Sequence, residues 1–168
     1  QIEEAISVLE QVPHSLERRK ESLALDSKLA SLYIYAGNLS KAKYKIGQIE
    51  KKPNLPSGLL DYLRGSYAIK QNNLDEAESL LAKAYRETSN SHTLKLLHVL
   101  NLKRGTVDNS ILIEHLKLHP NDISIKALLA ESLIGKDNDK SIAIFEDIVS
   151  QSSGNSDLLN NYAWVLHL

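Results

Sequence analysis

Small residues recur along this chain at a nearly regular spacing. They are Ala5, Ala42, Ala77, Ser110 and Ser141, which stand 37, 35, 33 and 31 residues apart. A period of about 34 residues is typical of repeats in which each unit is a pair of helices. This feature constrains the fold more than any other, and it predicts a stack of helix pairs.

The residues that follow these small positions indicate helices. After four of them, a large apolar residue stands at i+4 and an apolar or small residue at i+7, which places all three on one helix face. The i+4 residues are Leu9, Ile46, Leu81 and Phe145, and the i+7 residues are Val12, Ile49, Ala84 and Ile148. No segment alternates apolar and polar residues for long enough to predict a strand. We therefore predict an all-α chain.

Short turns separate the predicted helices, so neighbouring helices should be antiparallel and in contact. Gly105 and Gly135 stand where a left-handed residue commonly ends a helix, and Asp122 stands where an acidic residue favours a helix start. The predicted helices are 2–12, 15–36, 39–51, 56–71, 74–87, 90–104, 108–118, 122–134, 138–151 and 155–168.

Two segments carry the resemblance to a known family. Gly37, Leu39, Ala42, Ile46 and Ile49 are repeated as Asn72, Leu74, Ala77, Leu81 and Ala84. This pattern resembles the consensus of tetratricopeptide (TPR) repeats. The resemblance implies a right-handed α-solenoid of antiparallel helix pairs, with residues 1–168 forming a single domain that is a fragment of a longer repeat array. The departures from the consensus are Arg64 and His98 in first helices and Ser110 and Ser141 in place of Ala.

A narrower resemblance lies near the end of the chain. Residues 158–166 read Leu-Leu-Asn-Asn-Tyr-Ala-Trp-Val-Leu, which is similar to helices of bacterial TPR lipoproteins associated with exosortase and exopolysaccharide systems. That resemblance implies a bacterial scaffold that faces the periplasm or is associated with the envelope. The alternative is a cytoplasmic TPR protein, since the same local pattern recurs in many bacterial TPR proteins.

The TPR resemblance also implies a concave groove lined by the first helix of each pair. The groove residues it assigns are Ser31, Tyr35, Tyr62, Ser66, Ile69, Lys70, Lys95, Lys126, Asn160 and Trp164. The same faces include Ser27, Ile34, Val99, Leu102 and Lys103. Some TPR proteins clamp a terminal carboxylate with Lys and Asn at positions that here hold Ser27, Ser31, Tyr62 and Ser66, so a chaperone-tail clamp is disfavoured.

Each groove residue also has a purely structural interpretation. Tyr35, Tyr62 and Trp164 are candidate anchors, because aromatic side chains bury much area at interfaces. The alternative is that they pack between neighbouring helices of their own chain. Lys70, Lys95, Lys103 and Lys126 could attract an acidic partner, or they could be ordinary solvated lysines.

Motifs for chemistry are weak. His115 and His119 would share a helix face, but no third ligand is evident and no Glu follows His115 directly. Asp137 and Asp139 lack the glycine and glutamate of a calcium loop. We therefore predict no enzyme activity, no metal and no cofactor.

Composition narrows the class of partner. The chain contains no Cys, its net charge is −1, and its apolar runs are too short to span a membrane. A neutral chain lacks the basic surface that nucleic-acid binding requires. We predict a scaffold that binds a protein or peptide. The alternatives are a structural spacer that self-associates end to end and, against the charge balance, a helical-repeat RNA binder.

Overall fold

The structure, a computed structural model, describes residues 1–12, 19–106, 108–151 and 156–167, with the backbone alone at 19–21 and 156–158. Within these ranges the chain forms ten α-helices and no strand. They are α1 (Ile2–Glu10), α2 (Arg19–Tyr35), α3 (Leu39–Glu50), α4 (Leu59–Lys70), α5 (Leu74–Thr88), α6 (Ser91–Lys103), α7 (Ser110–Leu118), α8 (Ile123–Leu133), α9 (Asn138–Gln151) and α10 (Ser156–Val165). The all-α prediction is confirmed, and the predicted helix boundaries at residues 15, 155 and 168 lie outside the described residues.

The helices alternate between two roles, which we name by their place in a pair. The first helices are α2, α4, α6, α8 and α10, and the second helices are α1, α3, α5, α7 and α9. The turn after a first helix contains a left-handed residue in four cases, namely Gly37, Asn72, Gly105 and Gly135, with φ of 75°, 60°, 75° and 75°. Glycine and asparagine adopt this conformation most readily, so the turn residues determine where each first helix ends.

Three of these turns also contain the same type of backbone hydrogen bond. The amide of the residue after the left-handed position donates to a carbonyl five residues earlier, from Asn38 to Tyr33 at 2.9 Å and from Asn73 to Ala68 at 2.9 Å. Thr106 donates to Asn101 in the same way at 3.0 Å. This arrangement is a Schellman motif, which satisfies helix carbonyls that would otherwise lack a donor.

The helices group into two compact units, Gln1–Ser89 and Asn90–Leu168. In the first unit, each helix contacts the next along the chain, and α2 also contacts α4. Its core contains Leu29, Ala30, Tyr33, Ile34, Ala42, Ile46, Ile49 and Leu63. The single-domain assignment stays a prediction, because each unit has its own core.

The predicted small positions are the points where helices of the first unit approach each other. Ala42 and Ala77 are fully buried, and so are Ile49 and Leu81 on the same faces. Gly65 is the matching small residue of a first helix. A Cβ added there would lie 2.7 Å from Cγ of Leu81, so α4 and α5 pack too closely for any side chain at this position.

Buried charges also join helices of the first unit. The Asp26 carboxylate in α2 accepts hydrogen bonds from Nζ of Lys45 at 2.8 Å and from Nζ of Lys52 at 2.5 Å. Burial alone would raise the pKa of Asp26, but the two lysines lower it below its usual value. At the surface, Glu10 links α1 to its neighbours, because it accepts from Tyr33 and from Lys41.

In the second unit, α8, α9 and α10 surround a core of Ala130, Phe145, Ile148 and Val165. Ser141 replaces the expected Ala at no cost in hydrogen bonding, because its Oγ donates to the carbonyl of Ala130 at 2.8 Å. The prediction that Ser110 is a packed small position is wrong, however. Ser110 is exposed and begins α7. Its amide and hydroxyl donate to the carboxylate of Asp108 at the surface.

α7 therefore buries a different set of residues. Leu112 and His115 are its buried positions, three residues apart, whereas α3, α5 and α9 each bury residues at offsets of zero, four and seven.

In α6, His98 occupies the small position with 1% of its surface exposed. Its Nδ1 has no hydrogen-bond partner among the described residues. Burial lowers the pKa of His98, and the charge of Lys136 lowers it further.

Two helix-interior glycines should respond in opposite ways to alanine. We expect Gly65→Ala to lower the free energy of unfolding by about 1–3 kcal/mol, because the new methyl group overpacks against Leu81. Gly47 in α3 has no atom within 4 Å of an added Cβ, so Gly47→Ala should raise the free energy of unfolding by about 0.5–1 kcal/mol. Urea unfolding measures both, and equal effects of the two changes would contradict the packing described here.

His98 should make stability depend on pH. Because its pKa is lower in the folded chain than the unfolded value of about 6.5, the unfolded state takes up a proton first as pH falls, and stability falls with it. We expect His98→Leu to raise the free energy of unfolding by about 1–3 kcal/mol, since it removes an unpaired buried nitrogen. The gain should be larger at pH 5.5 than at pH 7.5. Urea titrations at the two pH values measure it, and an identical gain at both would contradict the assignment.

Candidate partner-binding faces and a buried polar cluster

Six of the ten predicted groove residues lie on α2 and α4, which contact each other in the first unit. Ser31 and Ser66 are half-buried, and their hydroxyls donate to carbonyls of their own helices. The Oγ of Ser31 lies 3.0 Å from the carbonyl oxygen of Ser27, and the Oγ of Ser66 lies 2.8 Å from that of Tyr62. The hydroxyl protons of these two serines are therefore already donated to their own helices.

Tyr35 and Lys70 form a contact between the ends of the two first helices. Tyr35 is 66% exposed, and Nζ of Lys70 lies 5.5 Å from the centroid of its ring. The same Nζ donates to the backbone carbonyl of Tyr35 at 3.2 Å. A cation above an aromatic ring is attracted by the ring electrons, so this contact favours one position of an exposed aromatic side chain.

Tyr62 and Ile69 are half-buried, and Tyr62 packs against the core of the first unit. Burial raises the pKa of Tyr62, and a hydrogen bond with Ser66 partly opposes that increase. Most of the Tyr62 ring therefore packs within its own chain, as the structural interpretation predicts. Ile34, which was assigned to the groove face, is 5% exposed and belongs to the core. Its assignment as a surface residue is wrong.

In the second unit, α6 presents apolar side chains to solvent at the predicted positions. Val99 is 42% exposed and Leu102 is 46% exposed. Lys95 is half-buried and Lys103 is exposed on the same face. This face of α6 therefore combines a short apolar stripe with lysines at its edges.

Lys126 and the α10 residues have different environments. The side chain of Lys126 is 15% exposed and forms an ion pair with Asp147 of α9, so it joins two helices of its own unit. Asn160 is exposed, and Trp164 is 56% exposed. The side of α10 that packs inside is formed by Val165, which is buried, and by Tyr162, whose ring centroid lies 6.2 Å from that of Phe145.

A polar cluster centred on Asp122 was not predicted from the sequence beyond the acidic residue itself. Asp122 caps α8 by accepting from the amides of Ser124 and Ile125, each at 3.1 Å. It also accepts from Ser91 and bonds to Nε2 of the buried His115 at 3.0 Å. The partners are 31 and 7 residues away, and no local pattern connects such positions.

The chemistry of this cluster is structural. Burial alone would raise the pKa of Asp122, but hydrogen bonds from Ser91, Ser124 and His115 hold it well below its usual range. The carboxylate lies between the serine and the histidine, whereas an activated serine nucleophile must bond directly to its histidine base. The ring centroids of His119 and His115 lie 4.5 Å apart, with the two rings tilted by 34°. In the described part of the chain, no group of three His, Cys, Asp or Glu residues could hold a metal ion.

The Asp122 cluster should stabilise the second unit mainly above pH 4. We expect Asp122→Ala to lower the free energy of unfolding at pH 7 by more than the about 1–2 kcal/mol of a lost helix cap, because it also removes the bonds to Ser91 and His115. Because the folded pKa is depressed, stability supplied by the carboxylate is fully present above its unfolded pKa of about 4 and is lost progressively as pH falls from there through the lower folded pKa. Chemical unfolding at pH 7 and at pH 3 should therefore show a smaller effect in acid.

Asp108→Ala is the matched control, because Asp108 also accepts from an amide and a hydroxyl of one serine but lies at the surface. A loss as large in this variant as in Asp122→Ala would show that capping in general, and not the buried cluster, supplies the stability.

Likeness to known proteins does not give the family of this chain, because no protein-family model and no curated protein sequence matches it. The resemblance to TPR repeats therefore rests on the spacing of the small residues and on the repeated turns. Across the described ranges, every helix is too short or too polar to cross a bilayer.

Proposed function

We propose that this chain is a protein-interaction scaffold of the TPR kind, which binds a protein or peptide through the exposed faces of its first helices and carries out no catalysis. The observation that supports this most is the exposure of large apolar side chains at predicted groove positions. Tyr35, Val99, Leu102 and Trp164 are each more than two-fifths exposed. Burying such side chains against a partner would remove apolar surface from water, which favours association.

The contact between Tyr35 and Lys70 supports the proposal further. An aromatic side chain whose position is already favoured before binding loses less conformational entropy when a partner covers it. The free energy gained by burying the ring is therefore offset less. The lysine that holds it also supplies positive charge beside the ring. The α2 and α4 face therefore suits a partner segment with an apolar side chain next to an acidic one.

The repeat architecture supports the class of function. The buried offsets of zero, four and seven recur in α3, α5 and α9, and the left-handed turn recurs four times. Both features agree with a TPR-like array, whose stacked first helices form extended binding surfaces. A place in a bacterial envelope or exopolysaccharide assembly system is the narrower form of the proposal, and it rests on residues 158–166 alone.

A structural spacer that self-associates is the second candidate. It is favoured by exposed apolar residues on the helices at both ends, namely Val8 and Val12 in α1 and near its end, and Leu159 and Leu166 in α10 and just after it. Light scattering over a range of protein concentrations distinguishes the two. A particle mass that rises with concentration would support the spacer, and a constant mass would count against it.

A triple variant tests the scaffold directly. Tyr35→Ser, Leu102→Ser and Trp164→Ser together remove exposed apolar groups from three first helices, and we expect them to weaken capture of a partner from lysate of the source cells by about tenfold or more. Quantitative affinity capture with the parent and variant chains measures the change, and circular dichroism verifies that helicity is retained.

The matched control removes equally exposed apolar groups from second helices, through Val8→Ser, Ile113→Ser and Leu118→Ser. A partner that is lost from the first-helix variant and retained by the control supports the proposal. Equal loss from both variants would indicate a general hydrophobic effect and would contradict a role for the first helices.

A further inference from the structure

The outer face of α3 contains a depression that the proposed groove does not include. Its lining residues are Ser40, Lys43, Tyr44, Gly47, Gln48, Glu50 and Lys51. α3 is a second helix whose opposite face, formed by Ala42, Ile46 and Ile49, is buried in the first unit. The depression therefore faces away from that core.

Gly47 is the one residue without a side chain among those that line the depression, and the packing of the first unit gives no reason for a glycine there. A glycine inside a helix costs about 1 kcal/mol relative to alanine. At Gly65 that cost is explained by the close approach of Leu81, but an atom added at Gly47 would meet nothing within 4 Å. The free space lies outside the fold, where it would permit another backbone or side chain to approach α3 closely.

The lysines of α3 differ in whether they have partners. Lys41 pairs with Glu10 at 2.9 Å, and Lys45 pairs with Asp26 at 2.8 Å. Lys43, which lines the depression, has no acidic partner within the described ranges.

The other end of the depression is also positively charged. Lys51 has no acidic partner in the described portion of the chain, whereas its neighbour Lys52 pairs with Asp26 at 2.5 Å. Glu50, the single acidic residue among those that line the depression, is paired with Arg64 at 2.5 Å. The depression therefore retains two uncompensated positive charges, one at each end.

Tyr44 supplies an apolar surface between these charges. It is 67% exposed, and its hydroxyl accepts a hydrogen bond from Nε2 of Gln48 at 2.9 Å. The bond joins successive turns of α3, and Tyr44 lines the depression together with Gly47. Lys43 and Lys51 are eight residues apart, which is about 12 Å along a helix axis.

We infer that this face is a second docking site, and that its occupant is an acidic amphipathic helix of another protein. A helix with carboxylates about two turns apart spans the distance between Lys43 and Lys51. An apolar residue between its carboxylates would pack on Tyr44, and its backbone would come closest to α3 at Gly47. The site lies on a second helix, so it is separate from the first-helix faces of the proposed function.

The test uses a defined probe, a fluorescent alanine-rich helical peptide with two glutamates two turns apart and a leucine between them. A peptide with lysines in place of the glutamates is its counterpart. Fluorescence anisotropy with the full chain should show binding of the acidic peptide alone. Lys43→Glu and Lys51→Glu should each weaken that binding by roughly tenfold, because each replaces an attraction by a repulsion.

Gly47→Gln provides a variant that does not act through unfolding, because glutamine is a better helix former than glycine. It should weaken peptide binding by about tenfold or more while leaving the helix content unchanged, since its side chain fills the depression. Lys28→Glu is the matched control, because it reverses the charge of an exposed lysine on α2 and should leave the affinity unchanged.

The inference would be overturned by no binding of the acidic peptide, by equal weakening in Lys28→Glu, or by unchanged binding to the Gly47→Gln variant. Loss of binding in Tyr35→Ala, with Lys43→Glu unaffected, would also overturn it and would assign the peptide to the α2 and α4 face. The scaffold proposal would survive each of these outcomes, because it depends on other residues.

Discussion

The close approach of paired helices at small residues is the constraint on which the rest of the first unit depends. Ala42 and Ala77 are fully buried, and Gly65 leaves room for Leu81 alone. Because backbones approach closely at these points, the large residues one turn further on can interlock and exclude water. This packing also fixes how α2 and α4 lie against each other, and with it which of their side chains are exposed.

Much of the fold follows from local sequence, and for that reason it could be predicted. Helix periodicity and turn residues act over a few positions, so the helix bounds agree with the structure to within about four residues at the described ends. Ser110 was misassigned because a repeat period gives only an average. In α7 the helix begins at Ser110 itself, and the buried positions change to Leu112 and His115.

The polar contacts could not be predicted, because they join residues that are distant along the chain. Asp26 meets Lys45 and Lys52, and Asp122 meets Ser91 and His115, only after the helices have packed. The exposure of residues at the candidate sites could not be predicted for the same reason, because it also depends on how the helices pack. A helical position can be assigned to a face from its spacing, but neighbouring helices decide whether that face is covered, as they do at Ile34 and do not at Tyr35.

The repeated left-handed turn gives the chain a form of modularity. Gly37 and Asn72 have similar φ angles. In both turns, the amide of the following residue donates to the carbonyl five residues before it. A segment that runs from one turn to the other therefore begins and ends in the same backbone geometry. Loss or duplication of such a segment joins two compatible ends, so an array of this kind can change its length by whole repeats while its local structure is preserved.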